Sequence, residues 1–242
     1  MKLVQLNAWG GRLGAQVRDL LIEENPDIVC LQEIIDIKGR SGFFTSIDQL
    51  SAYADDTQLF HSPVMSFRYM DKTASFGNGI ISKLSMKGQE TIFTNLDYVE
   101  NFSFDEHDYN IRNLQHAIIP INNKDVHILN HHGHHVREHK NGTTDTLRQC
   151  MQITSYINSL SGPIILTGDF NLVPDSESIK LINKRLRNLP KEHKLTTTRN
   201  HLTTKTEVCD YIFVSDDIIV DNFYMSPDVV SDHAALVLEF DI

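Results

Sequence analysis

The sequence has few cysteines and no long hydrophobic run, and these two absences exclude whole classes of protein. It contains three cysteines in 242 residues, and Cys30, Cys150 and Cys209 are far apart in the chain. An odd number at such spacing argues against a disulfide framework and favours a reducing compartment. No apolar segment approaches the roughly 18 residues of a membrane span, and no basic start leads into a long apolar run. We therefore expect a cytoplasmic protein with no signal peptide and no membrane span.

Basic residues are in the minority, which limits the partners that the protein can bind. There are 22 Lys and Arg residues against 32 Asp and Glu residues, a formal net charge of −10. This balance argues against an extended basic surface that holds duplex nucleic acid through its phosphates. It does not exclude a phosphate substrate, because a divalent cation supplies positive charge locally. The length and the 40% hydrophobic content suit a single α/β domain over residues 1–242, which we expect to be a monomer.

The most informative stretch is a short apolar run that ends in two polar residues. Residues 164–167 follow a Gly-Pro pair and are typical of a buried strand. Gly168 then permits a sharp turn, and Asp169 and Asn171 alternate with Phe170, which we expect to point into the core. A carboxylate there can bind a hard cation or take a proton from water, while the amide binds a phosphate oxygen. The alternative is an Asp/Asn turn that only satisfies its own backbone.

Polar residues also lie within or directly beside five other apolar stretches that are typical of strands. Loops at strand ends are held by a rigid sheet, which is where sites are commonly built. Six unrelated structural needs explain these placements poorly, so we expect the residues to converge on one site. Besides the pair at 169 and 171 they are, in chain order, Asn7, Glu33, the run Asn130-His131-His132, Asp210, and the pair Asp232-His233.

These stretches together resemble the endonuclease/exonuclease/phosphatase superfamily, which has the DNase I-like fold. The resemblance runs from residue 3 to residue 240, and residues 40–75 contribute no motif to it. It implies an α/β four-layer sandwich, in which two mixed, mostly antiparallel sheets pack face to face with helices outside. Helical spacing is present near residues 14–24, 144–160 and 176–188. The motifs are LNAWG (6–10), LQEI (31–34), NHHG (130–133), GDFN (168–171), DYIFVS (210–215) and SDHAAL (231–236).

The resemblance implies metal-dependent hydrolysis of a phosphoester. It assigns Mg²⁺ or Mn²⁺ to Glu33, with support from Asn7 and Asp232, which offer hard oxygen ligands. Asp169 would then orient and deprotonate the attacking water, and Asn171 would hold the phosphate and the water in line. A surface position is the ordinary alternative for Glu33, since most glutamates lie there.

Two histidines and an aspartate complete the catalytic set that the resemblance implies. His233 would bind a phosphate oxygen as a cation, and Asp210 would fix its tautomer. His132 would stabilise the phosphate or protonate the leaving oxygen, and His131 is the alternative for this role. An independent zinc site in the histidine-rich run is a weaker interpretation, because the spacing lacks the HExxH pattern.

Arg112 and Arg199 are candidate substrate-binding residues. The resemblance places Arg112 near the scissile phosphate, and a surface arginine on a half-exposed strand is the equal alternative. Arg199 is the last residue of a β-like stretch at residues 195–199 and would either reach the substrate or pair with acidic neighbours.

Three regions outside the motifs carry weaker expectations. Residues 39–42 are loop-like, residues 46–53 have the spacing of a helix, and residues 95–110 indicate an exposed polar loop. The region from 36 to 75 borders the cleft in related folds, so it is a candidate for substrate selection.

The fold does not name the substrate, because the superfamily includes nucleases, lipid phosphodiesterases and inositol phosphatases. We expect a phosphodiesterase or nuclease that acts on a small nucleic acid end or a nucleotide, since the surface is acidic. The alternatives are a sphingomyelinase-like lipid phosphodiesterase, which the NAWG stretch at residues 7–10 suggests, and a small-molecule phosphatase. A binding module without catalytic activity is a further alternative.

Overall fold

The computed structural model describes residues 1–37 and 44–242, and this part of the chain forms two six-stranded sheets packed face to face. The first sheet contains, in spatial order, β11 (Ile219–Met225), β12 (Leu236–Asp241), β1 (Lys2–Asn7), β2 (Ile28–Ile37), β4 (Lys72–Ser82) and β3 (Gln58–Tyr69). The second contains β5 (Gly88–Asn95), β6 (Arg112–Ile121), β7 (Lys124–His132), β8 (Ile164–Asp169), β10 (Asp210–Val214) and β9 (Arg187–Asn188). The β1–β2 and β7–β8 pairs are parallel and the other strand pairs antiparallel, so the expected mixed sheets are confirmed.

Helices cover the outer faces of both sheets and complete the four layers. Helix α1 buries Val17, Leu20 and Leu21 on the first sheet, and the longest helix, α3, buries Ile153 and Ile157 on the second. Of the helices that the structure describes, none has both the length and the hydrophobicity to cross a membrane. The helices are α1 (Gly14–Glu24), α2 (Ile47–Ser51), α3 (Thr144–Ser159), α4 (Glu177–Asn183) and α5 (Leu189–Glu192), with a 3₁₀ turn at Trp9–Gly11.

The side chains between the two sheets change character along the strands. At one end lies an apolar layer, in which each fully buried Leu or Ile side chain contributes about 1.5–3 kcal/mol. Its members include Leu3, Ile28, Cys30, Ile80, Ala117, Ile128, Ile165 and Ile212.

Two residues further along the strands lies an amide layer that joins the two sheets. Gln32 Nε2 on β2 donates to Asn130 Oδ1 on β7 at 2.6 Å, and Gln5 Nε2 donates to Gln32 Oε1 at 2.9 Å. Asn130 Nδ2 also donates to Gln115 Oε1 at 3.1 Å. All four side chains are fully buried. A buried amide is costly unless it is hydrogen-bonded, so these bonds fix how the sheets meet beneath the residues that follow.

Several local expectations are confirmed, and two are wrong. The helices predicted at 14–24, 144–160 and 46–53 are α1, α3 and the shorter α2. The helix predicted over 176–188 ends at Asn183, because the chain then joins the edge of the second sheet as β9.

The strand predicted at residues 195–199 is also wrong. Within the described chain this stretch makes only an isolated bridge, between Arg199 and His233. The loop predicted at residues 39–42 lies outside the described residues.

Candidate active site

A cavity of about 620 Å³ lies at the strand ends beyond the amide layer, and its two walls differ in chemistry. The ionisable wall collects side chains from both sheets: Glu33, Arg112, His132, Asp169, Asn171, Arg199, Asp232 and His233. The aromatic wall is formed by Met65, Phe67, Phe76, Phe102, Phe104 and Tyr109. Asn7 and Asp210 lie behind the ionisable wall and hydrogen-bond to it. The structure therefore brings together all ten residues that the sequence singled out as candidate site residues.

Asp169 lies at the centre of the ionisable wall and is 1% exposed. Its Oδ1 accepts a hydrogen bond from the Asn171 backbone N–H at 2.9 Å, and its Oδ2 accepts one from Asn7 Nδ2 at 3.1 Å. Burial alone would raise the pKa of this carboxyl, but the nearby positive charges of His233 and Arg199 outweigh it and lower the pKa. Asp169 is therefore held as a carboxylate.

The turn that follows β8 requires unusual backbone conformations. Gly168 has a φ of 149°, and a Cβ at this position would lie 1.9 Å from the His131 carbonyl oxygen. Asn171 has a φ of 55°, which asparagine tolerates better than most residues. Phe170, between the two polar side chains, is 1% exposed and packs against Tyr211, as the alternation predicted. The turn thus presents one carboxylate and one amide to the cavity.

Glu33 was expected just past the end of its strand. In the structure it lies inside β2, and an irregularity of that strand directs its side chain to the cavity. The pairing of β2 with β4 shifts register between Leu31 and Ile34, and Glu33 has a φ of 54°. Such a bulge re-aims a side chain, and a left-handed glutamate stores strain that is characteristic of functional sites. Burial, together with Asp169 and Asp232, raises the pKa of Glu33, although Asn7 and His233 oppose the rise.

The donor set around Glu33 fits a divalent cation. Its side chain is 28% exposed, and a cation there would offset the burial and the neighbouring carboxylates that raise the pKa of this carboxyl. Asp232 is 17% exposed on the same wall and offers a second carboxylate. Asn7 donates from Nδ2 to both Glu33 (3.1 Å) and Asp169 (3.1 Å), while its Oδ1 accepts from Trp9 N. In this arrangement Asn7 bridges the two carboxylates instead of pointing its oxygen at a cation.

A second group of potential ligands has its hydrogen-bonding capacity already in use. Ligand atoms of Asp169, Asp210 and His233 lie within 4.8 Å of one another. His233 Nδ1, however, lies 3.0 Å and 2.9 Å from the two oxygens of Asp210, and Thr198 Oγ1 donates to Asp210 Oδ2 at 2.6 Å. These contacts form a hydrogen-bonded relay, so Glu33 is the better candidate for binding a cation.

His233 and Asp210 form the buried pair that the resemblance implied. Burial alone would lower the pKa of His233, but the carboxylates of Asp210 and Asp169 outweigh it and raise the pKa. His233 Nε2 lies 3.6 Å from Asp169 Oδ2 and also contacts Arg199 Nη1. The imidazole is thus oriented by Asp210 on one side and faces the cavity with its other nitrogen.

Of the two histidines considered for the third catalytic position, only His132 faces the cavity. Its Nε2 lies 3.8 Å from Glu33 Oε1 and 3.9 Å from Asp169 Oδ2. His131 points away, with Nδ1 2.9 Å from the Asn113 carbonyl oxygen and its ring packed on Phe170. Burial lowers the pKa of His132 well below its ordinary value, so the neutral imidazole is favoured.

The independent zinc site gains no support from the histidine-rich run. Among the residues that the structure describes, the histidines from 131 to 139 belong to no group of three potential metal ligands.

Arg112 lines the cavity but uses most of its donors to hold the surrounding backbone. Its Nε donates to the Gly133 carbonyl at 2.7 Å, and its Nη1 donates to the Tyr109 and Ile111 carbonyls, both at 2.9 Å. Nη2 donates to Asn110 Oδ1 at 3.2 Å. The whole residue is 4% exposed. Its hydrogen bonds tie two loops to the site. This arrangement supports an organising role better than direct phosphate binding.

Arg199 lies within the charged cluster. Its Nη1 is 3.5 Å from Asp232 Oδ2, and its Nη2 is 4.0 Å from Asp169 Oδ2. Arg199 therefore pairs with acidic neighbours, as one of the two expectations had it, and it also lines the cavity. Contact with a substrate stays a prediction.

Two residues that sequence reasoning did not identify position the site. Lys140 is 5% exposed and donates from Nζ to Asn171 Oδ1 at 2.7 Å, which orients the Asn171 amide. Thr198 orients Asp210 through its hydroxyl. A lysine or threonine in a polar loop has no sequence pattern that separates it from a surface residue, so no signal pointed to either.

Comparisons with known proteins agree with this architecture. The model of the Endonuclease/Exonuclease/phosphatase family matches residues 4–233. No curated protein matches the chain in sequence.

Solved structures with the same fold have low sequence identity to the chain. An endonuclease/exonuclease/phosphatase family protein from Leptotrichia buccalis is 17% identical, with all of both chains covered and a TM-score of 0.74. A mannosyl-6-phosphatase from Bacteroides thetaiotaomicron is 14% identical, with both chains fully covered and a TM-score of 0.71. TDP2 from D. rerio, in complex with a single-strand DNA product, is 15% identical over 100% of this chain and 99% of that one, with a TM-score of 0.72.

Proposed function

The chain belongs to the endonuclease/exonuclease/phosphatase family of phosphoester hydrolases, and we propose that it is a metal-dependent phosphodiesterase of the nuclease or nucleotide type. The observation that carries this proposal is the arrangement around Asp169. One buried carboxylate lies within 4.0 Å of an amide donor on Asn7, imidazoles on His132 and His233, and a guanidinium on Arg199. A phosphate needs such converging donors, and an attacking water needs such a base.

Most side chains of the ionisable wall have a direct role in this proposal, and Arg112 holds the surrounding backbone. Asp169 is held as a carboxylate, and in this role it orients the water and accepts its proton. Asn171, fixed by Lys140, holds the phosphate and the water in line. His233, oriented by Asp210, stabilises negative charge on a phosphate oxygen, and Arg199 adds to that positive field.

His132 and Glu33 complete the proposed site. His132, whose neutral ring faces the cavity, donates a hydrogen bond that stabilises the phosphate or the leaving oxygen. Glu33 holds Mg²⁺ or Mn²⁺ with Asp232, and Asn7 positions both the Glu33 and the Asp169 carboxylates. The cation supplies positive charge that offsets the charge developing on the phosphate.

The nature of the substrate is the least constrained part of the proposal. Similarity in fold to TDP2 in complex with a single-strand DNA product supports a diester with a nucleic acid component. Similarity in fold to a mannosyl-6-phosphatase supports the alternative, a small-molecule phosphatase. The net charge of −10 favours a nucleotide or a short nucleic acid end over long duplex DNA.

A cytoplasmic, monomeric protein remains part of the proposal. The three cysteines are free and buried, which suits a reducing compartment.

The test is a substrate screen of the purified chain with phosphomonoesters, diesters, single- and double-stranded oligonucleotides and phospholipids. Each substrate is measured with Mg²⁺, with Mn²⁺ and with a chelator. We expect diester hydrolysis that is lost in the chelator and is absent from Asp169→Asn. Release of inorganic phosphate from monoesters alone would favour the phosphatase alternative, and no hydrolysis of any substrate would favour a binding module.

A further inference from the structure

The aromatic wall is unusual because a hydrolase of charged phosphates does not need it for the reaction itself. Met65 and Phe67 come from β3 and Phe76 from β4, at an irregularity in the β3–β4 pairing between Pro63 and Met65. The remaining members come from the segment 96–110, which joins β5 to β6. They share one cavity with the catalytic residues, so a ligand that fills the cavity contacts both walls.

The segment 96–110 is fastened to β3 and is not the freely exposed loop that its polar composition predicted. Val99 forms a parallel bridge with Met65, with backbone hydrogen bonds from Ser66 N to Val99 O (3.0 Å) and from Val99 N to Val64 O (3.2 Å). Phe102 N donates to Ser66 O at 2.7 Å. These bonds fix Phe102, which is 8% exposed, against the floor of the aromatic wall. The wall is therefore largely formed before any ligand binds.

Phe104 lies at the mouth of this wall and is 81% exposed. Its ring packs edge-on against Phe102, with centroids 5.0 Å apart and an interplanar angle of 88°. A phenylalanine that leaves most of its surface in water contributes little to folding, so its ring is available to contact a ligand in the adjoining cavity. Arg68 and Lys205 also line the cavity, so cationic groups are available around an aromatic floor.

We propose that the aromatic wall is a subsite for a flat aromatic group carried by the substrate next to its scissile phosphate. The inference rests on the proposed function, because the ionisable wall supplies the phosphate site beside it. Five of the six wall residues have aromatic rings, and a flat ring gains stacking and edge contacts from them that an alkyl chain cannot match. A cavity of about 620 Å³ is also of the size that holds a compact ligand, not a two-chain lipid. Nucleobases and aryl esters share this chemistry.

Direct binding tests the subsite without requiring turnover. Calorimetry on the full chain in Mg²⁺ buffer compares three non-hydrolysable probes: phenylphosphonate, cyclohexylphosphonate and methylphosphonate. Cyclohexyl matches phenyl in size but is not flat, and methyl leaves the wall empty. We expect phenylphosphonate to bind about tenfold more tightly than methylphosphonate, and severalfold more tightly than cyclohexylphosphonate, because only the flat ring stacks.

Phe104→Ala provides the matched variant, since an exposed side chain can be removed without opening the core. It should reduce the preference for phenyl over methyl about threefold to fivefold, while methylphosphonate binding stays the same. Tyr98→Ala is the control, because Tyr98 is 43% exposed on the same segment but does not line the cavity. It should leave all three dissociation constants unchanged.

Three results would overturn the subsite. Equal binding of phenyl- and methylphosphonate, or a preference that Phe104→Ala does not alter, would show that the wall contributes nothing to recognition. Equal binding of phenyl- and cyclohexylphosphonate would show that the wall binds any apolar group of this size and does not select a flat ring. Any of these could occur in an active hydrolase, whereas selective binding without hydrolysis would contradict the proposed function and leave the subsite standing. To separate the two natural sources of a ring, a second titration compares a nucleoside monophosphate with phenyl phosphate.

Discussion

The two ends of the central strands differ although they share the same inner face. Leu3 and Asn7 on β1, like Ile165 and Asp169 on β8, lie four residues apart, and side chains at this spacing point to the same side of a strand. The first member of each pair belongs to the apolar layer, and the second borders the active-site cavity or its immediate support. The amide layer separates the two ends. The inner face of a sheet can therefore hold the two sheets together at one end and concentrate charge at the other, provided that hydrogen-bonded amides lie between these two ends.

His233→Ala should give the largest effect at the charged end. It removes a positive group needed mainly in the transition state, so kcat for diester hydrolysis should fall by roughly 10²-fold or more with little change in KM. A thermal unfolding curve measured by circular dichroism should show that the His233→Ala variant is folded. His139→Ala removes an exposed histidine and is the control, and an equal loss there would show that the effect is not specific to the site.

Ile128→Ala tests the apolar layer, at the middle of β7 and four residues before His132. Ile128 is fully buried in the apolar layer, so its truncation should lower the free energy of unfolding by about 2–5 kcal/mol. At a temperature where the variant is folded, its kcat should equal that of the parent. Denaturant titration and steady-state kinetics measure the two quantities. A large fall in kcat of the fully folded variant would mean that the two ends are not separate.

Glu33→Gln should weaken cation binding while the fold is kept. Gln preserves the size of the side chain but removes its charge, so Mg²⁺ or Mn²⁺ affinity measured by calorimetry should fall at least about tenfold. The melting temperature without metal should not fall, because burial and neighbouring carboxylates disfavour the charged form of Glu33. If the variant binds metal as the parent does, Glu33 is not a ligand.

Asp210→Asn should lower the pKa of His233. Asp210 is one of the two carboxylates that raise this pKa, and Asn keeps the shape without the charge. The proposed role needs the protonated form of His233, so activity should fall as the pH rises through the pKa of this residue. In Asp210→Asn this fall should occur at a lower pH than in the parent. An NMR titration of His233 measures the pKa directly, and an unchanged value would mean that the pair is not coupled.

The same pair should also show strong non-additivity in activity. Because His233 and Asp210 act as one unit, the double change should cost much less than the sum of the two single costs. Fully additive losses would make Asp210 a structural strand residue.

The sequence predicted the strands and most of the residues that converge on the cavity because both depend on local patterns. Apolar runs locate the strands, and polar residues at their ends, such as Asn7 and Asp169, follow from a period of two along a strand. The resemblance then assembled residues that are far apart in the chain, which local pattern alone could not do.

What the sequence could not predict depends on contacts between distant segments. Glu33 was expected beyond a strand end because the residues adjacent to it in sequence have no pattern that predicts a bulge. Lys140 is recognised as a positioning residue only once its ammonium group meets Asn171, 31 residues away. The segment 96–110 has the polar composition of a surface loop, and its attachment to β3 comes from backbone hydrogen bonds that have no sequence signature.

The central claim is that the charged strand ends form a metal-assisted hydrolase site centred on Asp169. The most direct measurement is the initial rate of hydrolysis of bis(p-nitrophenyl) phosphate across a Mg²⁺ titration, for the parent and for Asp169→Asn. The account predicts a saturable rise for the parent, a return to background in chelator, and a rate about 10³-fold lower for Asp169→Asn at every Mg²⁺ concentration. A parent rate that is unchanged by chelator, or an Asp169→Asn variant as active as the parent, would contradict it.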